Sequence, residues 1–84
     1  MTKIDWSRTY EFGDHDTIGR LVDGRWFWTW NLGSAMDAEE LLELGPHDGE
    51  NGGLIFGSFE DLLKGMEGRD DLVQAVVERF SEPL

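Results

Sequence analysis

Eighty-four residues with 39% hydrophobic and 12% aromatic content suffice for one small core, with about 60–65% of the unfolded surface buried at this size, and exclude a disordered acidic tail. Eighteen acids against seven bases give a formal net charge of -11, which excludes direct attachment to a nucleic-acid backbone and disfavours an anionic membrane surface, since both need clustered cations. The lack of cysteine removes disulfide, thiolate and zinc-thiolate chemistry.

Residues 1–84 therefore read as a single small acidic domain. Met1-Thr2-Lys3-Ile4-Asp5 has no apolar leader character, and no run is long enough to span a bilayer. A cytoplasmic protein is expected.

Ile4, Trp6, Tyr10 and Phe12 alternate with Asp5, Ser7, Thr9 and Glu11, which predicts a strand over 3–12 with one wet face. Arg8 interrupts the apolar series and suits an edge, where its stem lies flat and its head reaches water. Gly13-Asp14-His15-Asp16 reads as a four-residue turn. Thr17–Val22 and Arg25–Asn31 are two further strands, joined by Asp23-Gly24 as a two-residue type I′ hairpin loop. In the last of them Trp26, Trp28 and Trp30 share one face, and Phe27 and Thr29 the other.

Counting back from the two turns pairs Phe12 with Thr17, Tyr10 with Gly19, Leu21 with Trp26, Gly19 with Trp28 and Thr17 with Trp30. Opposed residues point to the same side. Ile4, Trp6, Tyr10, Phe12, Leu21 and the three tryptophans are thus expected on one face. Gly19 would lie between the rings of Tyr10 and Trp28.

Ser34-Ala35-Met36-Asp37 has capping-box spacing ahead of a helical stripe of Ala38, Leu41 and Leu42, which Gly45-Pro46 ends. Residues 45–53 read as a loop. Leu54-Ile55-Phe56 is a candidate short fourth strand, parallel to the third if 32–52 form a helical crossover. Ser58 is expected to cap a second helix with Phe59, Leu62, Leu63 and Met66 on its buried side, and Glu60 and Lys64 as an i, i+4 pair. Gly68 breaks that helix. Asp70 would cap a third, with Leu72, Val73, Val76, Val77 and Phe80 inward, before a frayed Pro83-Leu84 end. The expected fold is α+β: a three-stranded antiparallel meander, with the short fourth strand if it forms, and three short helices on its tryptophan-rich face.

The tryptophan row has two readings. Alternate strand residues about 6.5–7 Å apart suit stacked sugars, which makes a small sugar- or ligand-binding module the alternative function. The other reading is core, because three helical stripes need a surface to cover. Asp14-His15-Asp16 and His47-Asp48-Gly49-Glu50 hold the metal-ligand residue types, but the topology expected here puts the two loops at opposite ends of the sheet, so no metal and no cofactor is assigned. No nucleophile has a matching base, and Glu39 with Glu43 carries no specific catalytic spacing. No catalytic residue is assigned, and an enzyme is not expected.

The acids are unevenly placed: residues 37–71 hold eleven of them against Lys64 and Arg69. Helix starts account for many positions, because carboxylates there offset the macrodipole. They do not account for the missing cations, since self-repulsion of this size opposes a compact state. A basic protein partner, adaptation to high salt and plain solubility are the three explanations. The first gives a non-enzymatic acidic binding or inhibitory protein. Its expected contacts are Asp37, Glu39, Glu40, Glu43, Asp48, Glu50, Glu60 and Asp61, and its partner is a basic protein of the nucleic-acid-binding kind. In size and charge alone it is similar to small phage and mobile-element inhibitors that mimic nucleic acid.

Overall fold

A computed structural model describes residues 3–81. Strands β1 (Ile4–Phe12), β2 (Asp16–Leu21), β3 (Trp26–Asn31) and β4 (Asn51–Phe56) form one sheet in that order, and every neighbouring pair is antiparallel. Helix α1 (Ala38–Leu44) interrupts the β3–β4 connection, while α2 (Phe59–Gly65) and α3 (Asp70–Ser81) follow β4. The α+β class and the element order agree with the sequence. The expected Pro83-Leu84 end lies outside the described residues.

The fourth strand forms, but it runs antiparallel to β3 and begins earlier, at Asn51. Seven helical residues rise only about 10 Å, roughly half the length of a six-residue strand, so α1 cannot carry the chain back to the far end. The connection closes where it opened: Asn31 pairs with Asn51, and the Leu32 N–H donates to the Glu50 carbonyl at 2.7 Å. Gly52 and Gly53, expected in a loop, belong to this strand. A β-carbon at Gly53 would meet the Leu41 carbonyl oxygen at 2.8 Å, so glycine is what lets α1 lie against β4.

The three helices do not share a face. On the tryptophan side, α2 and α3 bury Leu62, Met66, Leu72 and Val76 against Ile18 and Trp28. Phe80 of α3 joins two aromatic groups there: its ring centroid is 5.0 Å from Trp26 and 5.4 Å from Tyr10. Helix α1 covers the reverse side, where Leu42 and Ala38 pack with Ile4, Leu21, Phe27 and Ile55. Phe27 is fully buried there. A ring that size on the second face needs its own cover, and α1 provides it. The expectation of three helices on one face is corrected to two and one.

The register also differs from expectation. Ile18, not Gly19, opposes Trp28; Arg20, not Leu21, opposes Trp26; and Asp16 rather than Thr17 opposes both Phe12 and Trp30. Each hairpin loop has three residues. In the second, the Gly24 N–H donates to the Leu21 carbonyl at 2.9 Å and Gly24 has φ 94°, a turn followed by a left-handed glycine. Both loops displace β2 by one residue in the same sense, so the two turns agreed with each other on a register that is wrong. A one-residue slip turns a strand over. It moves Leu21 to the reverse core and Ile18 into the tryptophan core, where Ile18 is completely buried. Ile4 follows Leu21, its partner across the ladder.

Two helix starts shift as well. Asp37, not Ser34, is the N-cap of α1, in a capping box with Glu40. Asp70 is the first helical residue of α3, whose first bond runs from the Val73 N–H to the Arg69 carbonyl. Ser58 caps α2 as expected, accepting from the Asp61 N–H at 3.1 Å.

Candidate functional site

The acidic residues singled out in the sequence fall in three places. Asp37, Glu39, Glu40 and Glu43 lie at or on α1, over the reverse face; Asp48 and Glu50 are in the loop before β4; Glu60 and Asp61 open α2 on the tryptophan side. The sheet separates the α1 group from the α2 group, so they do not form one flat patch.

Half of them have local structural work. The Asp37 carboxylate accepts from the Glu40 N–H at 2.9 Å, and the Glu40 carboxylate accepts from the Asp37 N–H at 3.4 Å. Glu39 is half-buried and accepts from the Ile4 N–H of β1 at 3.4 Å. Asp48 accepts from the Glu50 and Asn51 amides at 2.8 and 3.0 Å. These two bonds, the Asn51 one foremost, hold its carboxyl below the ordinary value of 3.8.

The other four, Glu43, Glu50, Glu60 and Asp61, are exposed. Among the described residues, only Asp48 of the eight has a basic side chain within 4.0 Å, the imidazole of His47 at 3.5 Å. Glu60 and Lys64 are spaced for a pair on α2 but make none within that distance.

The two histidine-bearing loops meet, contrary to the expected topology. Because β4 is antiparallel, the loop before it lies at the end of the sheet where β3 finishes. There a hollow of about 370 Å³ is lined by His15, Asp16, Trp28, Trp30, Asp48 and Arg69, among others. Asp16 is buried; its carboxylate accepts from the Trp28 indole N–H at 2.9 Å and lies 3.3 Å from an Arg69 guanidinium nitrogen. The Trp30 indole N–H donates to the Asp48 carbonyl at 2.7 Å. Among the described residues, no group of three or more histidines and carboxylates is placed to hold a metal ion.

Sequence reading missed a second concavity. On the reverse face α1 lies against β4 and β3, leaving the Phe12 end of β1 and β2 uncovered. A cleft of about 340 Å³ opens there, with Trp6, Glu11, Asp14, Thr17, Thr29 and Asp37 in its lining. Trp6 is 56% exposed. It belongs to a bulge in β1, because Asp5 pairs with Arg20 and the next pair is Thr9 with Gly19, which leaves Trp6, Ser7 and Arg8 unmatched. Asp5 shapes the bulge: its carboxylate accepts from the Ser7 hydroxyl at 2.6 Å and from the Ser7 N–H at 3.2 Å. The Ser7 hydroxyl is the main reason the Asp5 carboxyl sits below its ordinary value. Gly19 is covered by this bulge backbone, not by aromatic rings. A β-carbon there would meet the Arg8 carbonyl oxygen at 2.7 Å. The signal in the sequence is Arg8, which interrupts the apolar series of Ile4, Trp6, Tyr10 and Phe12 and lies in the bulge.

The tryptophan row itself is largely core. Trp28 is 9% exposed, and Trp26 is half-buried with its ring centroid 4.8 Å from that of Phe59. Among the described residues, no helix is long and apolar enough to cross a membrane. No protein-family model matches this chain, and comparisons with curated proteins and with solved structures find no match.

Proposed function

We propose that this chain is a non-enzymatic binding or inhibitory protein that engages a basic protein, its carboxylates standing in for the charge of a nucleic-acid backbone. The observation that carries the reading is the exposure of Glu43, Glu50, Glu60 and Asp61 with no cation within 4.0 Å among the described residues. The macrodipole accounts for Glu60 and Asp61 in the first turn of α2, but among the described residues no cation within that distance offsets the four charges, and uncompensated repulsion opposes folding. A cationic surface on a partner would relieve that repulsion and would be steered to it.

A competition experiment tests this. A basic DNA-binding protein carrying a labelled duplex is titrated with the chain at low and high salt. Displacement of the duplex, weakening steeply with salt, is the expected result. No displacement and no binding at low salt would overturn the reading in favour of solubility or high-salt adaptation. Charge reversal then locates the face: Glu43→Lys on α1 and Glu60→Lys on α2 lie on opposite sides of the sheet, so one should weaken binding more than the other.

A second reading has one observation behind it. The Trp28 and Trp30 rings, 4.8 Å apart between centroids, border the hollow that also holds the Asp16–Arg69 pair. Apolar ring surface beside fixed polar groups is what a small neutral ligand such as a sugar needs. Saturable change of tryptophan emission on sugar titration would support it, and a flat response across a glycan array would remove it.

A further inference from the structure

We infer that the reverse-face cleft beneath Trp6 receives an arginine side chain of the basic partner. This rests on the acidic-binding reading above and gives that surface a specific anchor.

Three observations converge. The first is the exposed Trp6 indole, which a β1 bulge holds at the edge of the cleft. Exposing more than half of the largest side chain is costly in water unless something covers it. A guanidinium stacks on an indole face through cation–π attraction. The second is charge: Glu11, Asp14 and Asp37 line the cleft, and none of the three has a cation within 4.0 Å among the described residues. The third is independent of charge. Thr29 is 2% exposed and lines the same cleft, yet among the described residues its hydroxyl has no hydrogen-bond partner. Among the described residues the buried side-chain polar atoms without a partner are Arg20 Nε and Asn51 Oδ1, so the Thr29 hydroxyl is reached from the cleft and can accept from a donor outside.

Arginine fits this set better than lysine. Its planar fork presents several N–H donors at once, so it can stack on Trp6, pair with Glu11 or Asp14 and donate to the Thr29 hydroxyl at the cleft wall. The α1 N-terminus would oppose a cation through its partial positive charge, but Asp37 caps it and supplies a full negative charge there.

The test is calorimetric titration of the full chain with capped oligoarginine and oligolysine peptides of equal length at low salt. Oligoarginine should bind more tightly. Trp6→Ala and Glu11→Gln should each weaken oligoarginine binding by about tenfold and erase the preference over oligolysine. Thr29→Val, which keeps the side chain's shape, should also reduce the preference. Glu43→Lys should weaken both peptides alike. Circular dichroism melts check that each variant is folded; Trp6 and Glu11 are exposed, so the decisive variants remove no core contact.

If Trp6→Ala and Glu11→Gln bind oligoarginine as tightly as wild type while Glu43→Lys does not, the cleft is not the anchor and the acidic-binding reading stands. If wild type binds neither peptide at low salt, both fall.

Discussion

The Trp28 indole donates its N–H to the Asp16 carboxylate at 2.9 Å, inside the face of the sheet that two helices cover. The second oxygen of Asp16 lies 3.3 Å from the Arg69 guanidinium, just ahead of α3. One buried carboxylate therefore ties the start of β2, the central strand β3 and the residue that leads into α3 together. It also borders the hollow between the histidine-bearing loops.

Asp16→Ala should cost about 1.5–3 kcal/mol, because it strands a buried indole N–H and removes a charged acceptor. Asp16→Asn should cost less, since its amide oxygen still accepts from Trp28. Trp28→Ala, which empties the core beside Ile18 and Met66, should cost roughly 3–5 kcal/mol. Urea unfolding midpoints at unchanged slope measure all three. An Asp16→Ala midpoint equal to wild type would show that the indole bond adds nothing to stability.

Gly19→Ala should displace the β1 bulge, because the added methyl group would overlap the Arg8 carbonyl oxygen. A cost of about 1–3 kcal/mol is expected from overpacking of this kind. The readout beyond stability is Trp6. In the native protein caesium should quench its emission better than iodide does, since carboxylates gather cations around the cleft. Moving the bulge should shrink that difference, and Trp6→Phe should remove it.

Acid should loosen the loop before β4. Hydrogen bonds from the Asn51 and Glu50 amides depress the Asp48 carboxyl, so the charged form is the one favoured by folding. That contribution is complete above the ordinary value of 3.8 and is lost as pH falls below it through the folded-state value. Backbone amide shifts of Glu50 and Asn51, followed by NMR from pH 6 downward, should therefore move late, below about 3.8. Asp48→Asn, which keeps an acceptor oxygen for the turn, should flatten the response. A midpoint at or above 3.8 for Asp48 would contradict the turn geometry.

Salt should act oppositely on folding and on partner binding. The Debye length shortens from about 10 Å at 0.1 M to about 3 Å at 1 M, so added NaCl should screen the repulsion among the α1, loop and α2 carboxylates and raise the melting temperature. The same screening should weaken and slow attachment to a cationic partner. A melting temperature that falls with NaCl would mean that the exposed acids are compensated within the fold.

Much of the architecture is written in local patterns. Alternation in Ile4–Phe12 and Trp26–Asn31 specifies strands, and it puts Trp26, Trp28 and Trp30 on one side regardless of neighbours. The stripes of Leu62, Met66, Leu72 and Val76 specify amphipathic helices, and Ser58 specifies where one begins. A glycine beside an aspartate, Gly13-Asp14 and Asp23-Gly24, marks both hairpin loops. The charge imbalance, and with it the proposed class of partner, is a property of composition alone.

The candidate cleft was not legible in that way. It depends on a slip of β2 by one residue, which exchanges the faces of Ile18 and Leu21, and on a β1 bulge that takes Trp6 out of the alternation. It depends also on α1 crossing to the side of Phe27 rather than joining the other helices. A local pattern says which residues share a face; it does not say which face another segment covers. That choice is made by burial of Phe27, Leu21 and Ile4 against Leu42, and by the close approach that Gly53 and Gly19 permit. Contacts between residues so far apart in the chain exist only once the tertiary structure has closed.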